Sequence, residues 1–473
     1  MRVRACVIAV LPALLVAATG APSLAVERPR VVVLTDITNE PDDEQSLVRL
    51  LVYANEVDIE GLIATTSVWL RDRVSPETIL DHVEAYGQVR ANLSVHAEGF
   101  PSAAQLRAGV KAGRAEYGMA GVGEGKSSEG SRHLVAVVDR PDPRPVWVLA
   151  WGGVNTLAQA LWDVRSTRSP AALEAFVAKL RVYTISDQDD AGRWLRRTFP
   201  DLFYIVSPSS QDWQEYFRAT WTGISGDRLF KIAPFHRFEL VDNPWLKRHV
   251  IENHGPLGAR YPPIRNLMEG DTPSFLNLIG NGLGSHRSPA FGGWGGRYVL
   301  HQANAETRPI WTSSNAARDT VRTDDGREHT SVHATIWRWR EAFQHDFAAR
   351  MDWCVAASFG EANHNPRAVL EGSEDRSVLF RRFPAGARVE LDASASTDPD
   401  GDALRFRWWH YAEASTHPGA LSIQADGPRA RLVMPGGRRG QTLHVILEVW
   451  DDGMPSLVSY RRLVLVLGGP AKP

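Results

Sequence analysis

Over about the first 270 residues, apolar runs alternate with segments of helical spacing, and this alternation restricts the fold more than any other feature. "RVVVLTD", "VDIEGLIATTS", "RPVWVLAWGG" and "KLRVYTIS" are apolar at successive positions rather than at every second one, which predicts strands buried on both faces. Between them "DEQSLVRLLVYA", "SPETILDHVEAYGQV" and "NTLAQALWDV" carry helical periodicity and open with Asp, Ser-Pro or Asn, residues that start helices. Strand, helix and strand in repetition predict an α/β domain built on a parallel sheet. Ligands of such sheets bind at the carboxyl ends of the strands.

The carboxyl end of the first strand is crowded with acids: Asp36, Glu40, Asp42 and Asp43 in "TDITNEPDD". Like charges this close repel, and burial raises the cost. A cation belongs among them. Ca²⁺ takes several oxygen ligands in a loose cage, whereas no His/Cys cluster favours zinc. The competing reading is a capped helix start, with Asp42 or Asp43 accepting backbone N–H bonds and complementing the helix dipole. Four acids directly after a buried strand favour the cation.

After Pro262 come glycine-rich loops, "EGDTPSFLNLIGNGLGSHRSPAFGGWGGRY", and one further helical stretch, "HATIWRWREAFQHDFAARMDWCVA". From about Arg381, "ARVELDASASTDPDGDALRFRWWHY" and "QTLHVILEVWDDGMPSLVSYRRLVLVL" alternate with period two between Asp/Gly turns. They predict a small antiparallel sandwich, joined to the larger domain through "ANHNPRAVLEGSEDRS". Asp398, Asp400 and Asp402 are expected to form turns rather than a second Ca²⁺ site.

At the N-terminus Arg2 and Arg4 precede an apolar run from Ala5 to about Ala18 and the small-residue pattern Ser23-Leu24-Ala25. This predicts a signal peptide over residues 1–25, hence a secreted or periplasmic protein; the run is too short for a membrane anchor of about 20 residues. Only Cys354 would remain, so no internal disulfide is expected. A formal charge of -2 and 23% charged residues provide no field that would steer the chain to nucleic acid or an anionic membrane. Neither nucleic-acid binding nor membrane insertion is expected. The oligomeric state is open, a dimer included.

"TDITNEPDDEQSLVRLL" resembles the opening motif of the nucleoside hydrolase superfamily, in which a first strand ends in D-x-D-P-G-x-D-D and the acids hold Ca²⁺ with the catalytic water. More closely, "NEPDD", "AWGGVNTLAQAL", "EGDTPSFL", "DFAARMDWC" and "ANHNP" resemble the secreted bacterial cellulose-binding proteins with a nucleoside hydrolase-like N-terminal domain. The resemblance implies such a domain over residues 26–370 and a C-terminal immunoglobulin-like sandwich over residues 371–473, and there "SASTDPDGDALRFRWW" resembles the polycystic-kidney-disease-like and cadherin-like sandwiches of secreted bacterial enzymes. It implies a metal set of Asp36, Asp43, the Trp151 carbonyl and Asp271. Without gaps Thr38 falls at the general base; a two-residue insertion returns that role to Asp36, and Glu40 is another candidate. Gly270 stands where the hydrolases have histidine, and Trp69 where many have a sugar-binding Asn.

Candidate proton donors are Glu269, His254, Asp189 and Asp190. For His254 an ordinary loop histidine is an equal alternative, given that His-Gly-Pro is turn material. Asn39, Asp42, Trp69, Trp151, Asn155, Asp189, Asp190 and Trp194 are expected to line a substrate site. Of 16 tryptophans, Trp147, Trp162 and Trp337 are expected in the core, while Trp151, Trp194 and Trp294 are placed to stack on sugars. Trp408 and Trp409 adjoin on one strand, so one faces outward, toward polysaccharide or the larger domain. The functional expectation is an exported Ca²⁺-dependent glycoside hydrolase acting on a furanosyl or related sugar of plant polysaccharide. The alternative is a carbohydrate-binding protein that uses the metal cage as a clamp.

Overall fold

The computed structural model describes residues 28–207, 224–226, 234–303, 305–313 and 317–468. The expected signal peptide, residues 1–25, lies outside them. The larger sheet contains β1 (Arg30–Thr35), β2 (Asp58–Ala64), β3 (Val110–Ala112), β4 (Val146–Ala150), β5 (Leu180–Thr184), β6 (Phe203–Ile205), β7 (Val299–His301) and β8 (Ile310–Thr312). Their spatial order is β3-β2-β1-β4-β5-β6-β8-β7, all parallel except β7 against β8. The chain moves outward from β1 to β3, then returns to lay β4 on the other side of β1. That reversal opens a crevice at the carboxyl ends of β1 and β4.

The continuous apolar runs are explained by packing on two faces. Val31 and Val33 of β1, with Trp147 and Leu149 of β4, enter one core; Val32, Leu34, Val146 and Val148 enter the other. The helices α1 (Pro41–Val52), α2 (Pro76–His96), α3 (Ala103–Ala108), α4 (Glu129–Asp139), α5 (Asn155–Thr167), α6 (Pro170–Ala178) and α7 (Ala191–Thr198) cover these faces. α1 starts with Pro41, and Asp42, Asp43 and Glu44 fill its first turn, as a fixed φ and the positive end of the helix dipole favour.

The stretch expected as one helix near residue 340 is broken into Ala334–Trp337 and Arg340–Trp353. At the break Arg338 bonds Asp319 at 2.8 Å and lies 4.6 Å from the Tyr411 ring, while Trp339 packs on Trp409 at 5.8 Å. Both side chains are drawn toward the C-terminal unit, whereas a regular helix would turn them about 100° apart.

A hairpin of β9 (Asp319–Arg322) and β10 (Glu328–Ser331) precedes the C-terminal strands: β11 (Leu379–Phe383), β12 (Arg388–Asp392), β13 (Arg405–His410), β14 (Ile423–Asp426), β15 (Arg429–Val433), β16 (Thr442–Trp450) and β17 (Val458–Leu467). They form an all-β pair of sheets, β11-β17-β16-β13 and β12-β15-β14. The pairing departs from the expected antiparallel pattern once. β11 enters from the join alongside β17 and runs parallel to it, Leu379 opposite Leu463.

The four-stranded sheet is also buried on both faces. Leu443, Val445 and Leu447 face the sandwich interior, whereas Ile446, Trp450 and Tyr460 enter the core of the larger domain. Trp408 lies inside the sandwich and Trp409 packs on the larger domain, which selects between the two expected roles of that pair. Gly282, at φ +97°, meets the Tyr460 backbone with no room for a Cβ. Trp294, expected to stack on sugar, is 1% exposed and donates to Tyr460 Oη at 3.2 Å. Trp162 is half-buried rather than in the core. The join is stitched to both units: Asn363 donates to Pro455 O at 2.8 Å, and Asn365 to Asp346 Oδ1 at 2.9 Å. No helix among the described residues is long and apolar enough to cross a membrane.

Candidate functional site

The crevice between β1 and β4 is walled by the turn from β1 into α1. Asn39 N closes that turn onto Asp36 O at 3.2 Å. Thr38 sits at φ +82°, a left-handed conformation that β-branched residues rarely adopt, with its Oγ1 3.2 Å from Ser75 Oγ. Thr35 Oγ1 accepts from Ile37 N at 3.1 Å and donates to Asp43 Oδ1. One hydroxyl thereby ties the strand end to the first turn of α1.

Oxygens of Asp42, Asp43 and Asp271 lie within 4.8 Å of one another, all three side chains buried. Asp271 comes from the loop before the helical turn Pro273–Leu276. Both of its carboxylate oxygens are buried without a hydrogen-bond partner, and so is Asp36 Oδ2. Asp36 abuts Gly152, where a Cβ would lie 2.7 Å from Asp36 Oδ1; a larger residue after β4 would displace the carboxylate.

Burial, and then mutual repulsion, pushes these acids upward. Asp36 is raised to about 6, chiefly by burial, against a hydrogen bond from Ser67. Asp42 is raised to about 7 by burial and by Asp36. Asp43 and Asp271 stand well above the usual carboxylate range for the same two reasons. A buried carboxylate oxygen without a donor is costly, and here three such oxygens cluster among four acids. The donor set is hard oxygen without His or Cys, which fits Ca²⁺ or Mg²⁺ and not zinc.

The structure gives several sequence-derived candidates other work. Glu269 is fully buried and paired to Arg49 with a 2.6 Å contact; it also accepts from Tyr261 Oη and Thr272 Oγ1, each at 2.7 Å. Its lone pairs are taken, so it is not a proton donor to a substrate. His254 bonds Asp352 at 3.1 Å at the end of the helix Arg340–Trp353, rather than any acid of the crevice. Asp189 accepts from Val154 N (2.8 Å), Asn155 N (2.9 Å) and Ala191 N (3.0 Å), which makes it a shared cap for α5 and α7. Asn155 is likewise spent: Nδ2 donates to Thr66 Oγ1 and Glu116 O, and Oδ1 accepts from Thr65.

Asp190 is exposed and accepts from Met119 N at 2.8 Å. Trp194 packs edge-on against Phe199. Trp151 is 1% exposed, its Nε1 donating to Ser274 Oγ at 2.9 Å, so it cannot stack on a sugar; its carbonyl accepts from Gln188 Nε2. Glu40 is exposed at the rim beside Asn266, and Trp69, 40% exposed, stands in the loop after β2. Ser67 and Gln188 escaped the sequence reading. Ser67 had one available signal, its place just past the end of a predicted strand.

Residues 30–298 match the family described as cellulose-binding Sde182, nucleoside hydrolase-like domain. Residues 388–467 match the C-terminal domain of cellulose-binding protein Sde0182. Among solved structures, a nucleoside hydrolase-related hypothetical protein from Saccharophagus degradans, associated with carbohydrate metabolism, is 39% identical over 93% of this chain and 100% of its own, with a TM-score of 0.80. A PKD domain of the KIAA 1837 protein is 20% identical over 20% of this chain and 87% of its own, with a TM-score of 0.15. No curated protein matches.

Proposed function

The chain belongs to the cellulose-binding Sde182 family, with its nucleoside hydrolase-like domain and C-terminal domain, and from that premise we propose an exported, Ca²⁺-dependent glycoside hydrolase. Its substrate would be a furanosyl or related sugar of plant polysaccharide. Asp42, Asp43 and Asp271 would hold the cation, with Asp36 beside them. When bound, such an ion supplies Lewis acidity toward a water or sugar hydroxyl oxygen.

The chain's own residues supply the rest. Asp36, raised to about 6, is ionised near neutral pH yet holds a proton readily, which suits a general base. The buried carboxylates around it favour positive charge developing on a sugar ring during departure of the leaving group. Trp69 offers an exposed ring at the rim against which a sugar can lie. One observation carries this reading. Buried Asp36, with one carboxylate oxygen unpartnered, stands beside the three-acid group at the reversal point of the sheet.

A second reading, a carbohydrate clamp without turnover, is favoured by a different observation. Glu269 and His254 are committed to Arg49 and Asp352, which removes two of the proposed proton donors. Incubating the full chain with cell-wall oligosaccharides and with nucleosides, with and without chelator, separates the readings. Sugar release that chelator abolishes supports the hydrolase; chelator-sensitive binding with no release from any substrate supports the clamp.

A further inference from the structure

At the opposite end of the larger sheet, the residues that lead into β1 and β4 and the start of β5 meet the glycine-rich loop and the join. Together they enclose a cavity of about 550 Å³ whose walls carry Arg28, Arg144, Arg181, His286, Arg287 and Arg376. Two of the arginines are neutralised: Arg28 and Arg144 share Asp58 at 2.8 and 2.7 Å. The other three make no direct ion pair among the described residues, although Arg287 feels the charge of Asp375. Arg181 donates to the Ala178 and Leu180 carbonyls, Arg376 to Gly280 O, and Arg287 lies over the Phe380 ring. His286 adds a buried Nδ1 without a partner. The one acid on this wall, Asp375, accepts from Ser377 N and Oγ at 2.9 and 2.7 Å; these bonds, with Arg461 and Arg287 nearby, keep it ionised, so it offsets one of the positive charges.

Beside this net positive charge the cavity has an apolar side, made by Pro29, Pro145, Trp147 and Val378. Its volume falls within the roughly 300–1,000 Å³ of small-molecule sites and exceeds what an inorganic anion fills. Guanidinium groups match a carboxylate with paired N–H donors, and an apolar wall suits the face of a pyranose ring. We propose that this cavity is a second carbohydrate site, specific for an acidic sugar, in which Arg181, Arg287 and Arg376 hold a uronosyl carboxylate and the ring lies along the half-buried Pro29 and Pro145.

The proposal shares only its ligand class with the hydrolase reading. β4 and β5, at about 3.3 Å per residue, hold the two sites about 15 Å or more apart, so one can be lost without the other. Arg287 and Arg376 are exposed, and their replacement leaves the fold intact. The test is calorimetric titration of the full chain, and of an Arg287→Ala/Arg376→Ala variant, with trigalacturonate, cellotriose and sodium sulfate.

Trigalacturonate should bind the wild type, lose at least about tenfold in affinity in the variant, weaken with added salt and be indifferent to chelator. Cellotriose should not compete, and sulfate should compete only at far higher concentration. No trigalacturonate binding, or binding unchanged in the variant, overturns the site. Sulfate binding as tightly as trigalacturonate leaves an anion site without sugar recognition and overturns the proposal as well.

Discussion

The guanidinium of Arg49 and the carboxylate of Glu269 form an ion pair with a 2.6 Å contact in which neither side chain is exposed. Arg49 is on α1, which carries Asp42 and Asp43, and Glu269 lies just before Asp271. The pair therefore fastens the two halves of the acidic site across 220 residues of sequence. Glu269→Gln would leave Arg49 buried without its countercharge, and unfolding in urea should show a loss of about 3–5 kcal/mol. An unchanged urea midpoint would show that the pair does not hold the site together.

The acids of the crevice give the metal-free protein a definite pH dependence. Asp36 and Asp42 titrate at about 6 and about 7 in the fold, against about 3.9 unfolded. Their contribution to stability is complete below about pH 4 and is lost as pH rises through 6 and 7. Chelated protein should thus melt higher at about pH 5.5 than at about pH 8. Added Ca²⁺ should raise Tm most at the higher pH, because protons compete for the same oxygens. A Tm at pH 8 that ignores both chelator and Ca²⁺ would remove the cation from the account.

The two units should behave as one in unfolding. Gly282 takes φ +97° against the Tyr460 backbone, and Asn363 and Asn365 are bonded to opposite sides of the join. Gly282→Ala should cost at least about 1–3 kcal/mol in backbone strain and split the single calorimetric transition into two. Protease cleavage of the wild type between residues 363 and 383 with release of folded parts would contradict this coupling.

Asp189 separates a cap from a substrate contact. Asp189→Ala removes the acceptor of three backbone N–H groups and should lower stability by about 2 kcal/mol. Ligand affinity of the folded fraction should be unchanged. A loss of affinity at unchanged Tm would return Asp189 to the substrate site.

These reassignments show where sequence reading stopped. The cluster at Asp36, Asp42 and Asp43 was legible because a buried strand and a helix start meet within eight residues, so local pattern sufficed. Asp271 was reachable only through family resemblance, because the fold brings it in from far along the chain. The true partners of Glu269 and Asp189 were invisible for the same reason: Arg49 and Val154 are distant in sequence, and no local pattern marks a partner. In β16 the period-two pattern correctly indicated a strand, yet it could not announce that the second face, with Ile446 and Trp450, is buried too. That burial comes from docking, which lies between units rather than within either sequence pattern.

Affinity and sugar release, measured on wild type, Asp43→Asn and Asp36→Asn with one defined oligosaccharide at saturating Ca²⁺, test the hydrolase reading most directly. Asp43→Asn should lose binding and turnover together, because both depend on the same cluster of oxygens. Asp36→Asn should keep its affinity while turnover falls by roughly 10²- to 10⁴-fold, as expected for a group that matters chiefly in the transition state. Wild type that binds the oligosaccharide tightly and releases no product at any pH from about 4 to 9 would contradict the hydrolase and leave the clamp.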